Sequence, residues 1–376
     1  IFCRVFCFLM RNRVFLSPYY LKMKKKLLIC FNILFTLLAS GQINQFGIPL
    51  HTYFGSDIIN SNAQNWDIAQ TSNGILYIAN NIHGVLEFDG VSTRSISIEG
   101  NPEIRSIAIN KDNLIFVGCS YEFGYLRPNN IGGFRYINLS KSLPDSLQRF
   151  AYIYKVHCIN DTVFFSDDKF NLFKYITTED TLVAIKNPKH TFFTFAFQNE
   201  LFGGSYVDGL FKIKDDKPVK IIGGDFYQSK DVFSILNNSG KMVVVTGELG
   251  LFNYDCKSGK SNQILSAEAL AGIKNVITYS AAINNESYFL GTLGQGINVI
   301  NKTGNLEAIL DKQIGIPEHV CSSVKVFGND TWGTLQPGLT NIEYKNPIRY
   351  FDEGSSLSGG INDITSYDGK LFVATD

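Results

Sequence analysis

From Trp66 onward the chain restates one phrase about every forty residues, and that repetition limits its possible folds more than any other feature. An alternating apolar segment leads into a polar turn, a second apolar segment, a short loop ending in Gly, and an apolar-aromatic segment. The first copy is WDIAQTSNGILYIANNIHGVLEFDG (66–90) and the second is RSIAINKDNLIFVGCSYEFGYLRPN (105–129). Five more follow, and the residues at the glycine position are Gly84, Gly124, Asn171, Gly209, Gly250, Gly296 and Gly338, spaced 40, 47, 38, 41, 46 and 42 apart. Asn171 replaces Gly in the third copy, and Asn is the side chain that most readily shares glycine's left-handed conformation. An eighth copy opens at Ile361 (INDITSYDGKLFVATD).

Each copy holds three strand-like segments, with a fourth in the variable link, such as GGFRYINL at 132–139. Four short strands per repeat, punctuated by Gly turns and free of helical period, are the pattern of propeller blades. A single blade cannot cover both of its faces, so neighbours stack and the array closes into a ring. A β-helix has shorter rungs, and a β-sandwich would not repeat its glycines seven times. The expected fold is therefore all-β: a seven-bladed β-propeller over residues 42–360, with 361–376 starting a further repeat. The strand-like segment 46–59 (FGIPLHTYFGSDII) is a candidate for the outer strand of the closing blade.

The formal net charge of zero conceals a division. Residues 1–41 hold seven Lys and Arg and no acid, which leaves 27 basic against 34 acidic residues, or −7, in the remainder. A mildly acidic body lacks the basic footprint of a nucleic-acid binder. Met23 and Lys24–Lys26, the apolar run Leu27–Leu38 and the small residues Ala39-Ser40-Gly41 have the layout of a secretory signal, with cleavage before Gln42. The run is short for a membrane span, which needs about 20 apolar residues. Residues 23–41 are thus expected to be a signal peptide and 1–22 an upstream extension outside the fold.

The repeat resembles that of the two-component regulator propellers. Gly291-Thr292-Leu293-Gly294-Gln295-Gly296-Ile297 and Gly333-Thr334-Leu335-Gln336-Pro337-Gly338-Leu339 carry the likeness. So do Gln64-Asn65-Trp66-Asp67-Ile68, Gly84 to Gly90, and Glu122-Phe123-Gly124-Tyr125-Leu126, which together are similar to the sensor end of triple-tyrosine-motif regulators. The resemblance spans roughly residues 42–376. It implies a periplasmic sensor followed by a Tyr-rich domain, a membrane helix, and a histidine-kinase or DNA-binding output, as well as a possible homodimer. The chain then reads as the N-terminal fragment of a transmembrane signalling or transcription regulator.

With the four strands of each blade running outward from the ring centre, the loops between second and third strands crowd one mouth of the channel, together with the links between blades. The loops bring Asn80, Asn81, Tyr121, Glu122, Asp168, Tyr206, Asp208, Glu248, Gln295 and Gln336. The links add Gln64, Asn65 and Arg105. Amides, carboxylates and Tyr on one concave mouth suit an oligosaccharide or another small hydroxyl-rich ligand. The same residue types also serve as ordinary turn residues that bond the local backbone.

No nucleophile elbow or phosphate-cradling loop is present. The five His are scattered without metal-ligand spacing, so neither a metal nor any other cofactor is expected. Cys119, Cys158, Cys256 and Cys321 fall at mismatched ends of strands, too far apart for the ~4.4–6.8 Å that a disulfide requires, and are expected to be buried free thiols. The expected function is non-catalytic ligand sensing. A propeller glycosidase or lyase is the alternative, with Glu122, Asp208 and Glu248 as its candidate carboxylates, and a protein-docking propeller is a third reading.

Overall fold

The structure, a computed structural model, describes residues 47–59, 63–344, 346–351, 357, 359–368 and 370–376. The expected signal peptide and upstream extension lie outside these residues. The described residues fall into two compact units, 47–354 and a C-terminal one that contains the hairpin 361–375, each described by itself.

Residues 47–354 build seven four-stranded antiparallel sheets. Their first strands are Asn65–Gln70, Ile104–Ile109, Ile153–Ile159, Thr191–Phe197, Val232–Asn238, Thr278–Ile283 and Cys321–Phe327. Each of these adjoins the first strand of the next blade, and Cys321–Phe327 returns to Asn65–Gln70, so the first strands form the inner ring. The link segment of the second copy supplies a fourth strand, Phe134–Asn138, as expected. The seventh sheet takes its outer strand from the other end of the chain: His51–Phe54 pairs with Leu339–Ile342. Phe54 from that strand stacks on Trp332 of blade 7 at 5.6 Å and meets Phe88 of blade 1 at 5.0 Å, which seals the joint with apolar surface.

Between blades the core is aromatic and aliphatic. Phe123 of blade 2 packs against Phe165 and Phe173 of blade 3 at 4.5 and 5.0 Å. This explains why the repeat is so rich in Phe: each sheet has two faces to bury, and aromatic rings fill the wedge between diverging blades. The glycine position answers a different constraint. At Gly209 a Cβ would lie 2.1 Å from the Gly224 carbonyl oxygen, and φ is +79°. Asn171 does not take the left-handed conformation expected of it; Phe170 does, at φ +64°, and in blade 2 Tyr121 does so rather than Gly124. Asn171 instead donates from its backbone N–H and its Nδ2 to the Asp167 carboxylate at 2.7 and 2.6 Å, which holds that loop closed.

Every inner strand carries one β-bulge at its second residue. The partner register jumps over Trp66, Arg105, Tyr154, Phe192, Phe233, Tyr279 and Ser322 in blades 1 to 7. A bulge re-aims the side chain it carries. In blades 1, 2, 5, 6 and 7 the residue just after it pins neighbouring blades together. Ser106 Oγ accepts from Val156 N–H at 3.0 Å, Ser234 Oγ from Ala281 N–H at 3.1 Å, and Ser280 Oγ from Val324 N–H at 3.0 Å. Asp67 accepts from Ser106 Oγ (3.1 Å), Ile107 N–H (3.3 Å) and Ser323 Oγ (2.9 Å), bonding blade 1 to both neighbours.

The C-terminal hairpin, Ile361–Tyr367 with Lys370–Thr375, repeats the inner half of a blade. Its register jumps at Asn362, and Asp363 accepts from Ile364 N–H at 2.8 Å, as Asp67 does from Ile68 N–H at 3.0 Å. All four described cysteines are free; Cys119 and Cys321 are buried, Cys158 is half-buried, and Cys256 is exposed rather than buried because it follows its blade's third strand into a surface turn.

Two stability predictions follow from the inner ring. Burial works against the Asp67 charge, but Lys325 and Lys155, with the hydrogen bonds above, outweigh it and hold the carboxyl below its ordinary pKa. Asp67→Ala is expected to destabilise the chain by about 3–5 kcal/mol in urea unfolding, since it strands two lysines and a backbone N–H. Burial pushes His157, which donates from Nε2 to the Thr194 carbonyl at 2.6 Å, down to about 4. The unfolded chain takes up that proton near pH 6.5 and the folded chain only near 4. His157 therefore contributes fully above pH 6.5, and up to about 3 kcal/mol is lost on acidification to pH 4. His157→Gln is expected to flatten that part of the stability–pH curve, and an unchanged slope would contradict the assignment.

Candidate ligand-binding site

The residues at the inner-strand bulges, with their neighbours, form an aromatic wall along the mouth of the channel. Tyr152 stacks on Tyr154 at 6.1 Å, and Tyr154 meets Phe193 edge-on at 5.9 Å. Phe193 contacts Phe233 at 5.3 Å and Tyr279 at 5.8 Å, and Phe233 contacts Tyr279 at 5.3 Å. The rings come from blades 3, 4, 5 and 6. Arg105 extends the arc towards blade 1: its guanidinium lies 3.9 Å from the Trp66 ring centre and 4.5 Å from that of Tyr152. Stacking of this kind fixes a guanidinium's orientation.

Two adjoining cavities open on this wall. The first, of about 340 Å³, is lined by Tyr154, Phe192, Phe193, Phe233 and Tyr279, with Tyr206, His190, Lys230 and Asp231 as its polar members. The second, of about 280 Å³, shares Tyr206, Lys230, Asp231 and Phe233 and adds Thr246, Glu248 and Ile277. Their combined volume suits a drug-sized ligand or a short oligosaccharide. Burial pushes the Tyr279 hydroxyl up to about 12 and raises Tyr154, so both phenols stay protonated and able to donate. Burial, then the Glu248 charge, raises Asp231. A hydroxyl donor entering here would relieve both effects.

Of the residues expected at the mouth, the structure brings Tyr206 and Glu248 onto these cavities, and Arg105 onto the aromatic arc beside them. Tyr121 is 72% exposed and, with Asp208 and Gln336, lies on loops outside both cavities. The others are held in local bonds. Asn65 and Asn80 have no exposed surface; Asn80 donates to Asn65 at 2.8 Å, and Asn65 donates to the Gly338 carbonyl of blade 7 at 3.0 Å. Asn81 accepts from Trp66 Nε1 at 3.3 Å, and Gln64 donates to Ser322 Oγ at 3.1 Å. Glu122 turns towards the outer strand and accepts from Asn138 at 2.6 Å. Asp168 accepts from Ala151 N–H at 2.8 Å, and Gln295 accepts from Asn298 at 3.1 Å.

The physical reason is that a tight loop at the end of a second strand needs an acceptor for its own N–H groups. Asn80, Asp167, Ser205 and Thr292 occupy that place and close their loops. Sequence reasoning missed His190, Phe193, Lys230 and Asp231 and the bulge residues Tyr154, Phe192, Phe233 and Tyr279. The signal of the bulge residues is their shared place, two residues into the first strand of four consecutive copies. Among the described residues no three His, Cys, Asp or Glu side chains converge as a metal ion would require. Among them, too, no helix is long and apolar enough to cross a membrane.

Tyr121→Ala is expected to leave unfolding free energy within about 0.5 kcal/mol of the parent, as for an exposed side chain without partners. Asn65→Ala removes a buried bridge between blades 1 and 7 and is expected to cost about 1–3 kcal/mol. Urea titrations of the two variants check both.

No protein-family model and no curated protein matches the chain. Solved structures do. The chain is similar to the extracellular domain of BT4673 from B. thetaiotaomicron, described as a one-component system, with a TM-score of 0.62 and 17% identity over 80% of this chain and 40% of that one. The extracellular domain of BT3049 from the same organism, described as a hybrid two-component system, gives 0.58 and 15% over 87% and 47%. Virginiamycin B lyase from Staphylococcus aureus gives 0.58 and 10% over 78% of this chain and 98% of the lyase. The chain thus spans less than half the length of the two B. thetaiotaomicron domains. At such identities the likeness concerns the fold, and in fold the chain is a seven-bladed β-propeller.

Proposed function

We propose that this chain is the sensor propeller of an exported signal-transduction receptor, and that it binds an oligosaccharide or similar ring-bearing small molecule at the aromatic mouth without transforming it. The observation that carries the reading is the unbroken wall Tyr154, Phe193, Phe233 and Tyr279, set beside paired cavities whose polar groups are phenols, a lysine and two carboxylates. Flat aromatic faces take up sugar rings, and carboxylates or phenols meet their hydroxyls. Similarity to extracellular domains of two signalling systems supports the sensor role.

In this reading residues 23–41 direct export, 42–360 form the sensing ring, and 361–376 open a further propeller repeat. Residues 64–65 and 80–81 hold the mouth in shape, while Arg105, Tyr206 and Glu248 face the ligand. Binding signals by favouring one of two arrangements of the ring and the domains beyond it, which requires unequal affinity for the two. One observation favours an enzyme instead: Asp231 and Glu248 lie close enough to raise the Asp231 pKa, and a lyase shares the fold.

Calorimetry of the full chain against a panel of neutral and acidic oligosaccharides separates these readings. The sensor reading predicts saturable binding, weakened about 3–10-fold by Phe233→Ala or by Tyr279→Ala, with the sugar recovered intact. Cleaved sugar would replace the sensor by the enzyme. A folded chain silent to the whole panel would contradict the saccharide assignment.

A further inference from the structure

The inner strands carry a charge that the rest of the molecule does not. Across all seven, the charged side chains are Arg105, Lys155 and Lys325 against the single carboxylate of Asp67, whereas residues 42–376 as a whole hold seven more acids than bases. A positive axis inside an acidic body is a focused field, strongest where low-dielectric walls surround it. Lys325 lies 3.9 Å from Asp67, and Arg105 is 3.1 Å from Glu103.

Lys155 makes no such close contact, although its charge acts with that of Lys325 on Asp67. Among the described residues its ammonium meets no carboxylate within ion-pair distance and no hydrogen-bond acceptor; it stands 5.2 Å above the centre of the Phe193 ring, which forms a wall of the larger cavity. Lys155 also follows Tyr154 in the strand, and Tyr154 lines that same cavity. Arg105 is similarly underused. Its side chain is only 18% exposed, and its Nε is buried with no hydrogen-bond partner among the described residues. Its charge is felt by both Tyr154 and Tyr279 across the mouth. Holding an ammonium half-buried without a direct hydrogen bond opposes folding, as does an unsatisfied guanidinium N–H. Lys155 stands over the Phe193 wall of the larger cavity and Arg105 at the end of the aromatic arc beside it.

We infer that the ligand of this mouth is anionic, a saccharide bearing a carboxylate or sulfate, and that Lys155 and Arg105 hold the anionic group near the propeller axis while the aromatic wall holds the rings. The inference rests on the mouth being the binding site and names the class of ligand it takes. Asp231 and Glu248, on the blade 4–5 side, then meet hydroxyls at the other end of the same ligand. A charge-assisted hydrogen bond to an ammonium or guanidinium is the strong kind, and a stacked Arg is built to present one.

The test uses the full chain and trigalacturonate, with neutral trigalactose and a sulfated trisaccharide as comparators. Trp66 stacks on Arg105, and the only other tryptophan, Trp332, is buried at the blade 7–1 joint, so intrinsic fluorescence reports docking at the arc. The expected result is a saturable change with at least one acidic sugar and binding about tenfold or more weaker for trigalactose. Affinity should fall several-fold between low and about 0.3 M salt. Lys155→Met and Arg105→Met should each weaken the acidic sugar about tenfold or more, with Lys155→Arg restoring most of the loss. A cooperative thermal melt and a parent-like far-UV circular dichroism spectrum for the Lys155 variants would show that the fold is intact, even where loss of the Lys155 charge beside Asp67 lowers the melting temperature. Equal binding of trigalactose, weakened by Phe233→Ala but indifferent to Lys155→Met, would overturn the anionic class and leave the mouth standing. Binding indifferent to Phe233→Ala as well, or no binding of any of the three sugars, would overturn both.

Discussion

Asp67 stands where the two ends of the propeller meet, and most of the inner ring is organised by the kind of bond it makes. Its carboxylate bonds Ser323 of the last blade and Ser106 of the second, and accepts the Ile107 N–H. Ser106, Ser234 and Ser280 repeat the last of these bonds at other joints, each taking an N–H from the neighbouring inner strand. A ring of sheets needs such cross-links because its blades share no continuous backbone ladder, only single bridges such as Ser120 with Tyr152 and Leu293 with Val320. The outer closure, His51–Phe54 added to the seventh sheet, does the same work at the rim and removes an exposed edge.

The bulge that places each pin has a second consequence. In blades 5 and 6 the strand that brings Ser234 and Ser280 to their partners displaces the residue before each, Phe233 and Tyr279, and the same bulge displaces Tyr154 and Phe192 ahead of Lys155 and Phe193 in blades 3 and 4. A device that locks the blades therefore also assembles the aromatic wall. The aromatic wall sits on the inner strands, while loop residues such as Tyr206 and Glu248 supply polar groups around it. In blades 1, 2 and 7 the same place holds Trp66, Arg105 and Ser322, so the mouth is chemically uneven, with Arg105 on one side and Lys230, Asp231 and Glu248 on the other.

The ring was legible in the sequence because glycines and apolar alternation repeat at a nearly fixed period, and even the borrowed strand showed as strand-like residues ahead of Trp66. The site was only partly legible. The bulge position carries Trp, Arg, Tyr, Phe, Phe, Tyr and Ser, which share no chemistry that a pattern would catch. Its meaning depends on one skipped pairing that no residue type announces. Asn65, Asn80 and Asp168 misled for the opposite reason. Polar side chains at loop ends look alike whether they face a ligand or bond their own backbone, and here the unsatisfied N–H groups of tight turns claim them. Asn171 shows the same effect, since its amide serves Asp167 rather than a left-handed turn.

The account stands or falls on whether ligand engages the bulge residues. Hydrogen–deuterium exchange on the full chain, with and without the acidic oligosaccharide it binds most tightly, measures this directly. The proposed site predicts protection confined to segments around 103–106, 151–155, 190–193, 204–208, 230–233, 246–249 and 277–280, with Ala281 and Val156, whose amides are pinned to neighbouring blades, already slow in the free chain. Protection gathered on the outer strands, or at the opposite end of the channel, would contradict it.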